Sequence, residues 1–236
     1  MKRERPFVLI NMAMSADGKI ASTSRRLISL GTKRDYDNML KLRSTVDAVM
    51  CGAKTIASGN ITMDAGGKKY EQQRIKNGLN KQNLRVLISG SGSISPNASI
   101  FQNRNSPIII FVSKLTSANN LVNLRKVADE VLVYGNKKVL LNKALKYLYQ
   151  KWNSKRVLCE GGGELNFDLI RLGLVDELHL TICPSLLGGR DAPTIVDGTG
   201  FSHLTKVSNL ELTNQKRIGN ELFTTWKVRP RSDSQL

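Results

Sequence analysis

The sequence predicts an α/β fold built on a mostly parallel sheet, and three observations carry that prediction. Short apolar runs alternate with helical patterns along most of the 236 residues. Three consecutive glycines, Gly161–Gly163, stand between one such run and an amphipathic helix. The C-terminal part then changes to alternating apolar and polar residues on either side of Arg217-Ile-Gly219-Asn220. Strands separated by helices return the chain in one direction, which gives a parallel sheet flanked by helices. The alternating pair reads as an antiparallel hairpin on the sheet edge.

The elements follow in order. Phe7–Met14 is an apolar strand, Lys33–Thr45 a helix and Asp47–Cys51 a strand. The long polar connection Gly59–Asn83 is the least legible segment, with one helical pattern at Tyr70–Asn77; connections of that length tend to be functional or mobile. Strands are expected at Leu84–Ser89, Pro107–Ser113 and Glu130–Tyr134, a helix at Lys137–Trp152, and a strand at Arg156–Glu160. The helix Glu164–Leu172 places Leu165, Leu169, Ile170 and Leu172 on one face and is stopped by Gly173. Asp176–Cys183 is a strand, and Val207–Gln215 with Glu221–Val228 form the hairpin. One domain over residues 1–229 is expected, with Pro230–Leu236 a flexible tail. There are no internal repeats or low-complexity segments.

No apolar run approaches the length of a membrane span. Met1-Lys-Arg-Glu-Arg-Pro6 leads into a strand and not a signal sequence, so a cytoplasmic location is expected. Cys51, Cys159 and Cys183 sit in apolar runs without zinc spacing and read as buried thiols. His179 alternates with Leu178 and Leu180, so it faces the other side of its strand; no metal role is expected for it or for His203. The chain carries 36 Lys+Arg against 19 Asp+Glu, a formal charge of +17. That balance raises nucleic-acid binding, but the basic residues are scattered and no basic arm interleaves with aromatics. Only the ends concentrate charge, at Lys2, Arg3 and Arg5 and at Lys227, Arg229 and Arg231. A basic surface that steers phosphorylated ligands fits better than dedicated nucleic-acid binding.

The chemistry centres on Glu160-Gly161-Gly162-Gly163. Glycines between a strand and a helix let backbone N–H groups converge on an anion, and the helix N-terminus adds partial positive charge. That suits a nucleotide pyrophosphate, while Glu160 suits donors on a second ligand. The plainer alternative is a tight turn whose glycines allow close packing. A Rossmann site is excluded, because the following strand ends in Cys183-Pro184 without the ribose-binding acid. Ser89-Gly90-Ser91-Gly92-Ser93 also lacks the third glycine and enters a Pro96-Asn97 turn. Three further clusters lie near strand and helix ends: Asn11 to Ala21, Lys41-Leu-Arg43, and Cys51 to Asn60, where Thr55 could cap a short helix or touch a cofactor.

In this order the clusters resemble the pyrimidine reductases of riboflavin biosynthesis, a family related in fold to dihydrofolate reductase. The matching pieces begin with Met14-Ser15-Ala16-Asp17-Gly18-Lys19-Ile20-Ala21, Leu42-Arg43 before Val46-Asp47-Ala48-Val49-Met50, and Gly52-Ala-Lys-Thr55. They continue with Glu160-Gly161-Gly162-Gly163 and Leu172-Gly-Leu-Val-Asp176-Glu177-Leu178. Pro184-Ser-Leu-Leu-Gly188-Gly189 and Ala192-Pro193-Thr194-Ile-Val-Asp197-Gly198 close the match, which spans nearly the whole chain.

The resemblance implies NADPH-dependent reduction of the ribosyl group of a pyrimidine 5′-phosphate to ribityl. It implies that Gly161, Gly162, Gly163 and Glu164 receive the cofactor, with Ala13, Thr55 and Gly59 and, toward the adenosine end, Ser89, Gly90 and Ser91. Asn11, Ser15, Asp17 and Arg43 would bind substrate, Arg43 through its phosphate. Lys19 and Glu160 are the implied catalytic residues, either supplying a proton. The resemblance and the edge hairpin also suggest a homodimer.

Two departures stand out. Many members follow the residue matched by Thr55 with Asp-Asp-Pro and then Leu-Thr and a basic residue. This chain has Gly59-Asn60-Ile61-Thr62-Met63-Asp64, in a loop that helps set substrate choice. The zinc deaminase motifs of bifunctional relatives are also missing, so a reductase alone is expected. Two alternatives remain open from sequence. One is a related NADPH reductase of another pterin or pyrimidine-like substrate; the other is a basic nucleic-acid-binding protein.

Overall fold

The computed structural model describes residues 3–25 and 30–229. The tail expected over Pro230–Leu236 lies outside the described residues. The chain forms two compact units. The first comprises Met39–Leu158 with the segment ending at Phe7; the second comprises Val8–Asn38 and the chain from Cys159 on.

In the first unit the strand order is β5-β4-β3-β2-β6, from β2 (Ala48–Gly52), β3 (Leu84–Ser89), β4 (Ile108–Val112), β5 (Glu130–Val133) and β6 (Arg156–Cys159, which runs one residue past the unit). The pairs β2–β3, β3–β4 and β4–β5 are all parallel. β4 reads Ile-Ile-Ile-Phe-Val and is buried at every position, as a strand covered on both faces must be. β3 carries Arg85 in the same environment. Its guanidinium donates to the carbonyls of Ile100 at 2.8 Å and Ser106 at 2.6 Å.

Helices connect these strands. α2 (Ala53–Ala57) and α3 (Lys68–Lys76) lie between β2 and β3, the latter close to the Tyr70–Asn77 pattern. A single turn, α4 (Ser99–Gln102), precedes β4, α5 (Ala118–Val127) precedes β5, and α6 (Leu141–Lys151) precedes β6. α6 is shorter than the expected Lys137–Trp152, because Gly135, at φ +98°, starts an irregular approach to it. α5 has no counterpart in the sequence pattern. It begins at Ser117, whose hydroxyl accepts the Asn120 N–H, and buries only Leu124 fully.

In the second unit the order is β1-β7-β9-β8, from β1 (Phe7–Ser15, entering at Val8), β7 (Glu177–Cys183), β8 (Leu210–Ile218) and β9 (Glu221–Val228). β1 pairs parallel with β7, Leu9 opposite Glu177 through Ser15 opposite Cys183. β7–β9 and β8–β9 are antiparallel, as the alternating pattern predicts. β8 starts at Leu210 and not Val207, because a 3₁₀ turn at Leu204–Lys206 comes first, and it is exposed along eight of its nine residues. α7 (Gly163–Arg171) completes the helices of this unit, together with the start of α1 (Lys33–Arg43), which belongs to the first unit from Met39 on. α7 buries Leu165, Asn166, Phe167 and Leu169, whereas Leu172, expected on that face, follows the helix at 40% exposed.

One device recurs where strands begin. Asp47, Asp129 and Asp176 each stand one residue before a strand and accept backbone N–H groups at the start of a neighbour. Asp47 takes Lys155 and Arg156, both at 2.8 Å, Asp129 takes Ile108 at 2.8 Å, and Asp176 takes Val8 at 2.8 Å. The backbone N–H of each Asp donates in turn to the carbonyl of Arg156, Ile108 or Val8 respectively. The strand starts are thus satisfied reciprocally. Among the described residues no helix is long and apolar enough to cross a membrane.

Candidate functional site

The second unit gathers most of the residues the sequence singles out. β1 delivers Asn11, Ala13 and Ser15, then turns at Asp17-Gly18, with Gly18 at φ +81°. The Ser15 N–H donates to the Lys19 carbonyl at 2.9 Å, and the Lys19 N–H donates back to Ser15 Oγ at 3.0 Å. Ser15 Oγ donates to Asp17 Oδ1 at 2.6 Å. Lys19 is held further on: its Nζ donates to the Ala192 carbonyl at 3.2 Å, and its backbone bridges Thr194.

The three glycines play three different parts. Gly161 has φ +98°, and a Cβ there would stand 3.1 Å from Met12 Sδ on β1. The Gly161–Gly162 peptide is cis. Gly162, in extended backbone, is the N-cap of α7 and offers no side-chain cap. Gly163 is a packing glycine, since its Cβ would lie 2.5 Å from the Thr194 carbonyl and 2.7 Å from Asp197 Oδ2. The run is therefore a turn, a bare helix cap and a close-packed contact in succession.

The segment 184–197, matched by motif but given no role from sequence, frames these residues. Asp197 Oδ1 accepts Thr194 N–H at 3.1 Å and Thr194 Oγ1 at 2.7 Å, while the Asp197 N–H donates to the Gly163 carbonyl. Asn166 of α7 donates to the Ile195 carbonyl at 2.8 Å. The signal that could have found it is the Thr194-x-x-Asp197 pattern.

Charge and burial sort the remaining groups. Asn11 is buried, and its Oδ1 has no hydrogen-bond partner among the described residues. A buried carbonyl oxygen left unpaired is costly, so this one is suited to a donor from a ligand. Burial pushes the Cys159 thiol up to about 12 and the Cys183 thiol to about 11, so neither is a nucleophile at neutral pH. Asp35 of α1 is raised by burial and by nearby Glu221, against a hydrogen bond from Thr181. Glu221 itself is buried and accepts the N–H and hydroxyl of Thr32 at 2.6 and 2.7 Å. Thr32 and Glu221 border a cavity of about 350 Å³ whose lining also includes Lys33, Arg34, Pro184, Ile218 and Asn220. Glu160 is half-buried and Glu164 is exposed in the first turn of α7.

The first unit holds the other predicted residues. Arg43 ends α1, buried, with Nη1 donating to the Asp64 carbonyl at 2.7 Å. Thr55 does not cap α2: Gly52 does, and Thr55 lies within the helix, where its carbonyl accepts from Ser58. The Gly59 carbonyl accepts the Ile61 N–H, opening the atypical loop, in which buried Met63 accepts the Cys51 thiol at 3.3 Å. Ser89 ends β3, buried. After it, the Gly90 carbonyl accepts Ser113 Oγ and the Ser91 carbonyl accepts Asn120 Nδ2 at 3.3 Å. The glycine-serine loop is therefore braced from the segment after β4.

A family model described as the RibD C-terminal domain matches residues 6–224. The 2,5-diamino-6-ribosylamino-4(3H)-pyrimidinone 5′-phosphate reductase of Methanothermobacter thermautotrophicus is 32% identical over 225 residues, covering 95% of this chain and 99% of that protein. The reductase of the same name from Archaeoglobus fulgidus is 32% identical over 221 residues, covering 94% and 97%. The crystal structure of a pyrimidine reductase-like protein from Corynebacterium diphtheriae shares the fold, with a TM-score of 0.83 at 23% identity over 95% of this chain and 92% of that one.

Proposed function

The chain belongs to the RibD C-terminal domain family, and from that premise we propose that it is a riboflavin-pathway reductase. It converts the ribosyl group of a ribosylamino-pyrimidine 5′-phosphate to ribityl, with NADPH as reductant. The observation that carries this reading is the uncapped α7 N-terminus behind Gly161 and Gly162, beside a β1 strand whose Asn11 Oδ1 lacks a partner among the described residues. Both features fit a phosphate-bearing cofactor with a polar ring.

NADPH, when bound, supplies the hydride that reduces the sugar C1′. Gly161, Gly162, Gly163 and Glu164 receive its pyrophosphate through backbone N–H groups, and Ala13 lines β1 beside Asn11. In the first unit, Thr55, Gly59, Ser89, Gly90 and Ser91 are proposed cofactor residues, and Arg43 a substrate residue. Ser15 and Asp17 belong to the substrate side, and Lys19 and Glu160 hold or move the proton that the opening sugar ring requires. The exposed edge of β8 supports a homodimer, since an unpaired edge is a surface for a second copy.

The deciding assay follows NADPH oxidation with the diamino and the deaminated pyrimidine phosphates. Turnover of one of them is expected, with NADPH preferred over NADH in kcat/KM; no turnover of either would overturn the reading.

Gly162→Val tests the glycines. The φ of −77° at this position is open to any residue, unlike that of Gly161, and Gly163 is confined by packing. The valine is expected to block the backbone approach and weaken NADPH binding at least tenfold, or ~1.4 kcal/mol. A fluorescence titration returning the wild-type dissociation constant from a folded variant would remove the pyrophosphate from this position.

A further inference from the structure

The Asp17 carboxylate is exposed, yet both of its oxygens are engaged within the protein. Oδ1 accepts Ser15 Oγ at 2.6 Å and the Leu187 N–H at 3.0 Å, and Oδ2 accepts the Gly188 N–H at 2.7 Å. The Ala16 N–H adds a third link between the turn and this segment, to the Ser185 carbonyl at 2.8 Å. Ser15 is fully buried and its hydroxyl has one proton. Two acceptors face that proton, Asp17 Oδ1 at 2.6 Å and the Lys19 carbonyl at 3.2 Å; the shorter, charge-assisted bond draws it to Asp17, and the oxygen accepts the Lys19 N–H at 3.0 Å. A chain of bonds thus runs from the Leu187–Gly188 backbone through Asp17 and Ser15 to Lys19.

We propose that Asp17 is a positioning residue: it orients the Ser15 hydroxyl and clamps the Leu187–Gly188 backbone, fixing the Lys19 turn against the 185–194 segment. This rests on the reductase reading, in which Lys19 serves the reaction. It replaces direct substrate contact as the role of Asp17. The hydrogen bonds from Ser15, then Leu187 and Gly188, hold the carboxyl down to about 2, so the clamp stays charged throughout the working range of pH. Its contribution is complete above the ordinary carboxylate range and is lost only as pH falls through about 2.

The clamp makes a patterned prediction. Asp17→Ala removes every acceptor, whereas Asp17→Asn keeps one oxygen for Ser15 and Leu187 and turns an amide N–H toward Gly188. In amide hydrogen exchange, Leu187 and Gly188 are expected to exchange at least tenfold faster in Asp17→Ala, and Gly188 alone in Asp17→Asn. Both variants should lower kcat tenfold or more while leaving NADPH affinity within twofold. A Ser15→Ala/Asp17→Ala double variant should be no worse than the worse single, because the two side chains act in series.

Unchanged protection of Leu187 and Gly188 would overturn the clamp. Additive losses in the double variant, or an unchanged kcat, would overturn its link to Lys19. If the wild type turned over neither pyrimidine, the reductase reading would fail while the exchange pattern still decided the clamp.

Discussion

Arg74→Ala is expected to destabilise the protein by about 3–5 kcal/mol, because it strips four carbonyls, two of them in buried bonds, of a shared charged donor. Arg74 lies on α3 with no exposed surface. Its guanidinium donates to the carbonyls of Arg43 at 2.5 Å, Val46 at 2.7 Å, Asn80 at 2.8 Å and Gln82 at 3.2 Å. Arg43 closes α1, where carbonyls have no intrahelical partner, so Arg74 caps that helix from another part of the unit. Burial lowers its pKa to about 10, partly offset by the charge of Asp47, and the group remains a cation at neutral pH. Thermal unfolding should drop by an amount on the order of 10 °C. Arg74→Lys should fall between, because an ammonium lacks the planar fork. A melting temperature for Arg74→Ala within about two degrees of wild type would show that the four bonds are dispensable.

Glu160→Gln is expected to lower kcat by roughly 10²–10⁴-fold with little change in NADPH affinity, the range of a lost general acid or base. Glu160 sits between fully buried Cys159 and Gly161, whose positive φ fixes the direction in which the backbone leaves. Glutamine keeps the shape and removes the exchangeable carboxyl proton, so misfolding is not a confounder. The loss should appear in single-turnover rates as well as in steady-state kcat, since it acts on chemistry and not on product release. A kcat within about threefold of wild type would take the proton role away from Glu160 and leave it with Lys19.

The sequence discloses the strands well because their burial is two-sided: β4 is an unbroken apolar run, and β3 is apolar but for Arg85 and its last residue, Ser89. It also discloses the glycines, since a three-glycine run before a helical pattern has few structural uses. α5 is hidden by Asn119, Asn120 and Asn123, which favour turns, and by its single fully buried residue. Arg74 and Arg85 look like surface charges in a basic chain. Their burial depends on carbonyls brought together from residues as far apart as Arg43 and Gln82, which no local period can report. Asp17 reads as a ligand group for the same reason: its partners Leu187 and Gly188 are 170 and 171 residues away. The segment 184–197 has no regular periodicity, so only its motif residues are legible.

The aspartates at the strand starts bear on how this scaffold could tolerate insertion and deletion. A parallel pair can slide by two residues without turning any side chain to the wrong face, so apolar patterning alone leaves that error open. Asp47, Asp129 and Asp176 close it, because each carboxylate meets the N–H of one particular neighbour and would face a different residue after a slide. Alignment is therefore set at the ends of β1 and β2 remote from Ser15 and Gly52, where the chain leaves them. Loops at those exits can lengthen, shorten or exchange residues while the strands beneath them keep step.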